Sequence, residues 1–149
     1  MIAVRPYEQR DWLRIEAIHD QARRQELALA GLEAAFVPLR IAAEREALFD
    51  YALLVAELDG ETAGFAAFCP GELAWLYVDP AMMRRGVGKA LTAAVLAQCE
   101  GTVTAEVLLG NLPAKGLYES MGFTVAQVLS GVMPGNETFP VSVWAMERN

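Results

Sequence analysis

Leu76-Tyr77-Val78-Asp79-Pro80-Ala81-Met82-Met83-Arg84-Arg85-Gly86-Val87-Gly88-Lys89-Ala90-Leu91 is the stretch that decides the fold. It reads as a buried strand stopping at Asp79-Pro80, a short loop, and a helix that opens at two glycines. Helix N-termini leave several backbone N–H groups without partners and carry partial positive charge. Gly86 and Gly88 remove side chains where a pyrophosphate would approach that backbone. Arg84, Arg85 and Lys89 form the one compact basic cluster in a 149-residue chain whose net charge is −7. Strand, glycine-marked turn and local positive charge together predict a phosphate-binding loop.

Upstream, Glu72 to Val78 carries apolar residues on both faces, with Leu73, Trp75 and Tyr77 on one and Ala74, Leu76 and Val78 on the other. A strand buried on both faces belongs in the middle of a sheet covered by helices. Tyr51 to Leu58 and Thr62 to Cys69 are rich in strand formers, and Asp59-Gly60 between them signals a tight hairpin. Ile2 to Arg5 suits a first strand. Asp11 stands where a helix cap would, ahead of Trp12, Ile15, Ile18 and Ala22 on one helical face. A second helix is expected over Pro38 to Phe49, whereas the apolar, Gly31-containing stretch Leu27 to Val37 takes no assignment.

Downstream, Val87, Ala90, Leu91, Ala94 and Val95 track helical spacing, and Val103 to Leu109 is again a strand. Asn111 caps a helix that tolerates Pro113 in its first turn, runs to Met121 and stops at Gly122. Strands near Thr124 to Leu129 and Val141 to Met146 finish the chain, with a Gly- and Pro-containing loop from Gly131 to Pro140 between them. The order is a strand meander followed by strand–helix alternation, a single mixed α/β domain over residues 1–149.

Composition narrows the function. With 54% hydrophobic and 21% charged residues the chain is an ordered globular protein, long enough to build a core without a metal or disulfide. No apolar run approaches the ~20 residues of a membrane span. Arg5, Glu8, Arg10 and Asp11 are unlike a signal peptide, so a cytoplasmic protein that does not engage the membrane is expected. Cys69 and Cys99, far apart and without histidines at ligand spacing, read as buried thiols in a reducing compartment, and no metal site is expected. The acidic balance argues against nucleic acid as a partner and favours a cationic small substrate by steering.

The nucleotide-triphosphate loop needs Ser or Thr where Ala90 stands and an earlier glycine where Met83 stands, and the dinucleotide fingerprint needs a small residue at Leu91. Both fail. The segment instead resembles the coenzyme A motif of the GNAT superfamily of N-acetyltransferases. That motif falls here on Met83 to Gly88 after Val78-Asp79-Pro80, with Met83 in place of the usual Arg or Gln. A second run is similar to another signature of that family: Asn111, then Ala114 and Tyr118 on the same helical face, ending in Gly122-Phe123.

The resemblance implies a central, mostly antiparallel twisted sheet of six to seven strands flanked by about four helices, and acetyl-CoA as co-substrate. The amides from Arg84 through Arg85, Gly86, Val87 and Gly88 to Lys89 would hold its pyrophosphate. The strand ending in Leu76, Tyr77 and Val78 would splay from Val103 to Leu109 and pair with the pantetheine arm. A backbone N–H near Leu76 or Tyr77 would polarise the thioester carbonyl, with Asn111 and Ala114 beside the cofactor. A small-molecule or peptide amine would attack the thioester directly, with no covalent enzyme intermediate. Tyr118, a phenol of pKa near ~10, suits a general acid for the departing thiol. For the base, Glu72 is one candidate, and water or a backbone carbonyl is the other. His19 is expected as an exposed helix residue. A homodimer through the last strand is compatible with this scheme, as is a catalytically silent acyl-CoA sensor. Gly-x-Ser-x-Gly is absent, which disfavours a Ser-His-Asp hydrolase.

Overall fold

At the Asp59-Gly60 turn local sequence dictates backbone directly. Both residues take positive φ, 51° and 87°, the conformation that lets two strands join with matching twist. The strands so joined are β2 (Ala52–Leu58) and β3 (Glu61–Cys69). A second tight turn leads to β4 (Glu72–Val78), antiparallel to β3. The computed structural model describes all 149 residues and adds β1 (Ile2–Pro6), α1 (Trp12–Leu29) and α2 (Leu39–Arg45) before this meander. After it come α3 (Val87–Ala97), β5 (Val103–Leu108), α4 (Leu112–Ser120), β6 (Thr124–Met133) and β7 (Asn136–Arg148).

The seven strands form one sheet in the order β1-β2-β3-β4-β5-β7-β6. Every neighbouring pair is antiparallel except β4 with β5. That pair is joined at a single register point, Glu72 opposite Thr104. Beyond it the two strands part, and the sheet opens toward the C-terminal end of β4.

Both faces of the sheet are covered. On one side α1 and α2 deliver Ile15 and Leu39 against Val55, Phe65 and Trp75. On the other, Val87, Leu91 and Val95 of α3 meet Leu54, Ala66 and Phe68, joined by Tyr118 and Phe123. Fully burying one large aliphatic side chain is worth about 1.5–3 kcal/mol. Ile15, Leu39 and Leu91, all at 0% exposure, are therefore principal anchors of their helices.

Several local expectations are corrected. The register of β3 with β4 slips where Ala67 faces Trp75 and Phe68 faces Leu73, so Ala74 is the extra residue of a β-bulge. Strict alternation is lost there. Leu73 joins Leu76 and Val78 on the α3 side, while Trp75 and Tyr77 pack toward α1. Asp11 does not cap α1 with its side chain. Its carboxylate accepts both Arg5 Nη groups at 2.8 Å and the Glu8 amide at 2.8 Å, and these bonds hold it below the ordinary carboxylate range despite burial.

The second helix is shorter than expected. It ends at Arg45, and Ala47 turns the chain with φ of 52°. The stretch from Gly131 to Pro140 is a long hairpin rather than a loop, with β6 and β7 paired from Thr124–Glu147 to Met133–Asn136. Pro140 fits because β5 pairs with β7 only from Val143 onward, leaving one edge of β7 free at the proline. His19 is buried at 2% exposure rather than exposed.

Candidate active site

Gly86 sets the mouth of α3. It occupies the N-cap with φ of 87°, a left-handed conformation that any Cβ disfavours. No backbone amide from Met83 to Lys89 donates a main-chain hydrogen bond, and the first helical bond here runs from Ala90 back to Gly86 at 2.9 Å. Several N–H groups are thus free at the positive end of an eleven-residue helix. At Gly88 a Cβ would come within 2.9 Å of the tip of the Leu117 side chain, which would have to turn aside.

Just before this mouth, Asp79 ends β4. Burial works against its charge, but the Ala81 amide and the Arg14 guanidinium outweigh that and hold the carboxyl below its usual range. The Asp79 amide donates to the Ala63 carbonyl at 2.8 Å. Amides alternate sides along a strand, so those of Trp75 and Tyr77 also face β3. The amides of Leu76 and Val78 consequently face the gap left by β5, and that of Tyr77 does not.

A cleft of about 1210 Å³ occupies this gap. Typical small-ligand pockets hold roughly 300–1,000 Å³, so there is room for a long ligand and a second one. Its walls bring together most residues singled out from sequence: Leu76, Tyr77, Val78, Arg84, Gly86, Val87, Gly88, Lys89, Asn111, Ala114 and Tyr118. Val87 borders the cleft although its side chain is buried in the α3 core. Asn111 caps α4 as expected, its Oδ1 accepting the Ala114 amide at 3.3 Å.

Two expected residues stand apart. Arg85 is not in the cleft wall and lies within range of Asp59 in the β2–β3 turn. Glu72 is also outside the wall, at the start of β4. Its Oε1 accepts from the Tyr51 hydroxyl at 3.4 Å and the Cys69 thiol at 3.7 Å.

Tyr118 packs against Phe123 with ring centroids 5.2 Å apart and lines the cleft. Its hydroxyl has no hydrogen-bond partner in the chain, and no buried polar side-chain atom is left unsatisfied, so that oxygen opens into the cleft. Burial, with help from Glu26, pushes the phenol well above its ordinary range. Tyr118 therefore keeps its proton near neutral pH. It lies further from a thiol's ordinary range than its unperturbed value does.

Glu26 is the residue that sequence reasoning missed most plainly. It accepts from Arg23 at 2.5 Å, from the Tyr77 hydroxyl at 3.2 Å and from Asn111 Nδ2 at 3.1 Å. One carboxylate thus ties α1 to β4 and to the cap of α4. A single glutamate on a polar helix face carries no sequence signal of this kind.

A split sheet with bare amides at a helix mouth and a phenol in the gap is the architecture of a protein that holds an extended, phosphate-bearing ligand between two parted strands. The acetyltransferase (GNAT) domain family matches residues 49–125, more than half of the sequence. The chain belongs to the GNAT acetyltransferase family. It is 39% identical over 72 residues to peptidyl-lysine N-acetyltransferase YiaC of Escherichia coli. That alignment takes in 48% of this chain and 49% of YiaC, so the chain spans about half the length of the curated relative it matches.

Solved structures agree over the whole fold. A GCN5-related N-acetyltransferase from Rhodopseudomonas palustris superposes with a TM-score of 0.81 at 24% identity, covering 99% of this chain and 94% of that one. YncA of Salmonella typhimurium, determined with its cofactor acetyl-CoA, gives 0.70 at 23% identity over 99% and 92%.

Proposed function

We propose that this protein transfers an acetyl group from acetyl-CoA to a primary amine of a small molecule or peptide. The observation that supports this most directly is the row of unbonded amides from Met83 to Lys89 at the mouth of α3, next to the open edge of β4. Acetyl-CoA supplies an activated thioester, and its pyrophosphate suits those amides with Arg84 and Lys89 nearby.

The parted β4 edge offers the Leu76 amide as a hydrogen-bond donor for the carbonyl oxygen as negative charge develops on it. Asn111 and Ala114 line the same cleft as the helix mouth and Tyr118. Tyr118 holds its proton until a thiolate leaves, then donates it. No protein nucleophile is needed, because a neutral amine reacts with a thioester directly. The peptidyl-lysine activity named for YiaC favours an amine on a flexible chain as the acceptor.

The test is thiol release from acetyl-CoA with a panel of three amines: Nα-acetyl-lysine amide, alanine amide and spermidine. Turnover that needs both acetyl-CoA and amine supports the assignment. Binding of acetyl-CoA without turnover of any of them favours a silent acyl-CoA-sensing module instead.

A further inference from the structure

We propose that Glu46 is the residue that takes the proton from the acceptor's ammonium group, an inference that rests on the acetyltransferase function above. A primary amine arrives protonated near neutral pH and attacks only after losing a proton. The cleft wall holds four side chains able to accept one: His19, Glu26, Glu46 and Glu106. Glu26 is committed to three donors. His19 has its Nδ1 2.9 Å from Asp20 and its ring edge-on to Tyr77 at 4.9 Å, and burial lowers its basicity. Glu106 is exposed, where a carboxylate is fully hydrated.

Glu46 differs from all three. It sits at the C-terminal end of α2, half-buried, with no hydrogen-bond donor committed to it. The tip of the β6–β7 hairpin closes over it: a Cβ on Gly135 would come within 3.1 Å of Glu46 Oε2. That tip is pinned in place. Arg45 Nη1 donates to the Gly135 carbonyl at 2.8 Å, and Asn136 Nδ2 donates to the Ala35 carbonyl at 3.0 Å. An unpaired carboxylate therefore lies under a pinned hairpin tip in the part of the cleft walled by α1, α2 and the hairpin.

The groups facing Glu46 are Arg23 of α1, Glu137 of β7, Tyr51 before β2 and Tyr77 of β4, while Arg45 of its own helix is turned to Gly135. Burial pushes Glu46 up to about 7, Arg23 opposes the rise and Glu137 adds to it. A carboxylate so placed is half-ionised near neutrality, where a general base is most effective.

The step balances. An ammonium N–H bond breaks and its electron pair stays on nitrogen, while the proton converts the Glu46 carboxylate to the acid. The freed lone pair forms the C–N bond, and the C–S pair leaves with sulfur, which takes the Tyr118 proton. The second nitrogen proton passes through water and restores Tyr118, and Glu46 releases its proton to solvent.

The experiment is the pH profile of kcat/KM for wild type and Glu46→Gln with the same three amines. The variant should lose about 10²-fold near pH 7, with its KM for acetyl-CoA unchanged. The deficit should shrink as pH rises toward the amine's own value, ~10 for the lysine side chain and ~8 for alanine amide, because a neutral amine needs no base. An unchanged acid limb in Glu46→Gln overturns the proposal.

A second measurement does not depend on turnover: the infrared carboxyl band of the acetyl-CoA complex, wild type minus Glu46→Gln. A band titrating near neutrality supports the assignment. One titrating in the ordinary carboxylate range overturns it. A wild type that binds acetyl-CoA but acetylates none of the amines counts against the transferase function itself, and the infrared titration then judges Glu46 separately.

Discussion

Glu26 Oε2 accepts the Nδ2–H of Asn111 at 3.1 Å, across 85 residues of sequence. The side chain that caps α4 is thereby held from α1, and the same carboxylate steadies the Tyr77 hydroxyl on the open strand. Helices α1 and α4 and strand β4 are thus one hydrogen-bonded unit.

Removing that unit should be costly. Glu26→Ala leaves the Tyr77 hydroxyl and the Asn111 amide without an acceptor, at roughly 1–3 kcal/mol for each buried donor. For a domain of this size that lowers Tm by about 2–4 °C per kcal/mol. Scanning calorimetry should show this drop, together with a smaller stabilisation by added acetyl-CoA. Glu26→Gln, which keeps an accepting oxygen, should recover part of both.

Gly86 and Gly60 both have φ of 87°, yet only Gly86 opens onto the cleft. Alanine at either position should lower stability by about 1–2 kcal/mol, because a Cβ is disfavoured there. Gly86→Ala should also weaken acetyl-CoA binding by re-aiming the amides, and Gly60→Ala should leave it unchanged. Paired melting and titration experiments separate the two effects.

The basic cluster should divide in function. Arg84 and Lys89 line the cleft whereas Arg85 does not. Arg84→Ala and Lys89→Ala should each weaken acetyl-CoA, more so at low salt where screening is least. Arg85→Ala should change affinity little. Kd measured across a salt series checks this.

Glu46 should be a pH-dependent weakness in stability. Its folded value is raised from 4.5 to about 7, so folding is favoured most below the unfolded value, and that advantage is lost as pH rises through 7. Glu46→Gln should therefore melt at a higher temperature than wild type at pH 8 and show little difference at pH 4. His19 acts in the opposite direction. Burial depresses it, so wild type loses stability as pH falls below 6.5.

Features enforced by single residue types were legible without coordinates. Asp59-Gly60, the Asn111 cap and the Gly86 mouth each depend on local backbone chemistry, and each stands where expected. The features that escaped depend on distant partners. The bulge at Ala74 arises from how β4 registers on β3, so no alternation within β4 announces it. Gly131, Pro134, Gly135 and Pro140 look like a loop, yet pairing between β6 and β7 carries them as a hairpin. Asp11 prefers the Arg5 guanidinium to the cap it could have made. Glu26 and Glu46 look like ordinary helix-surface charges, and only the closure of α1, α2 and the hairpin around one cavity gives them roles.

Isothermal calorimetry of the wild-type protein with acetyl-CoA tests the core of this account most directly. A saturable heat at one molecule per chain, displaced by free coenzyme A and weakened in Gly86→Ala, is the predicted outcome. Absence of heat and of competition at millimolar ligand would contradict it, because bare amides at the mouth of α3 would then hold no diphosphate.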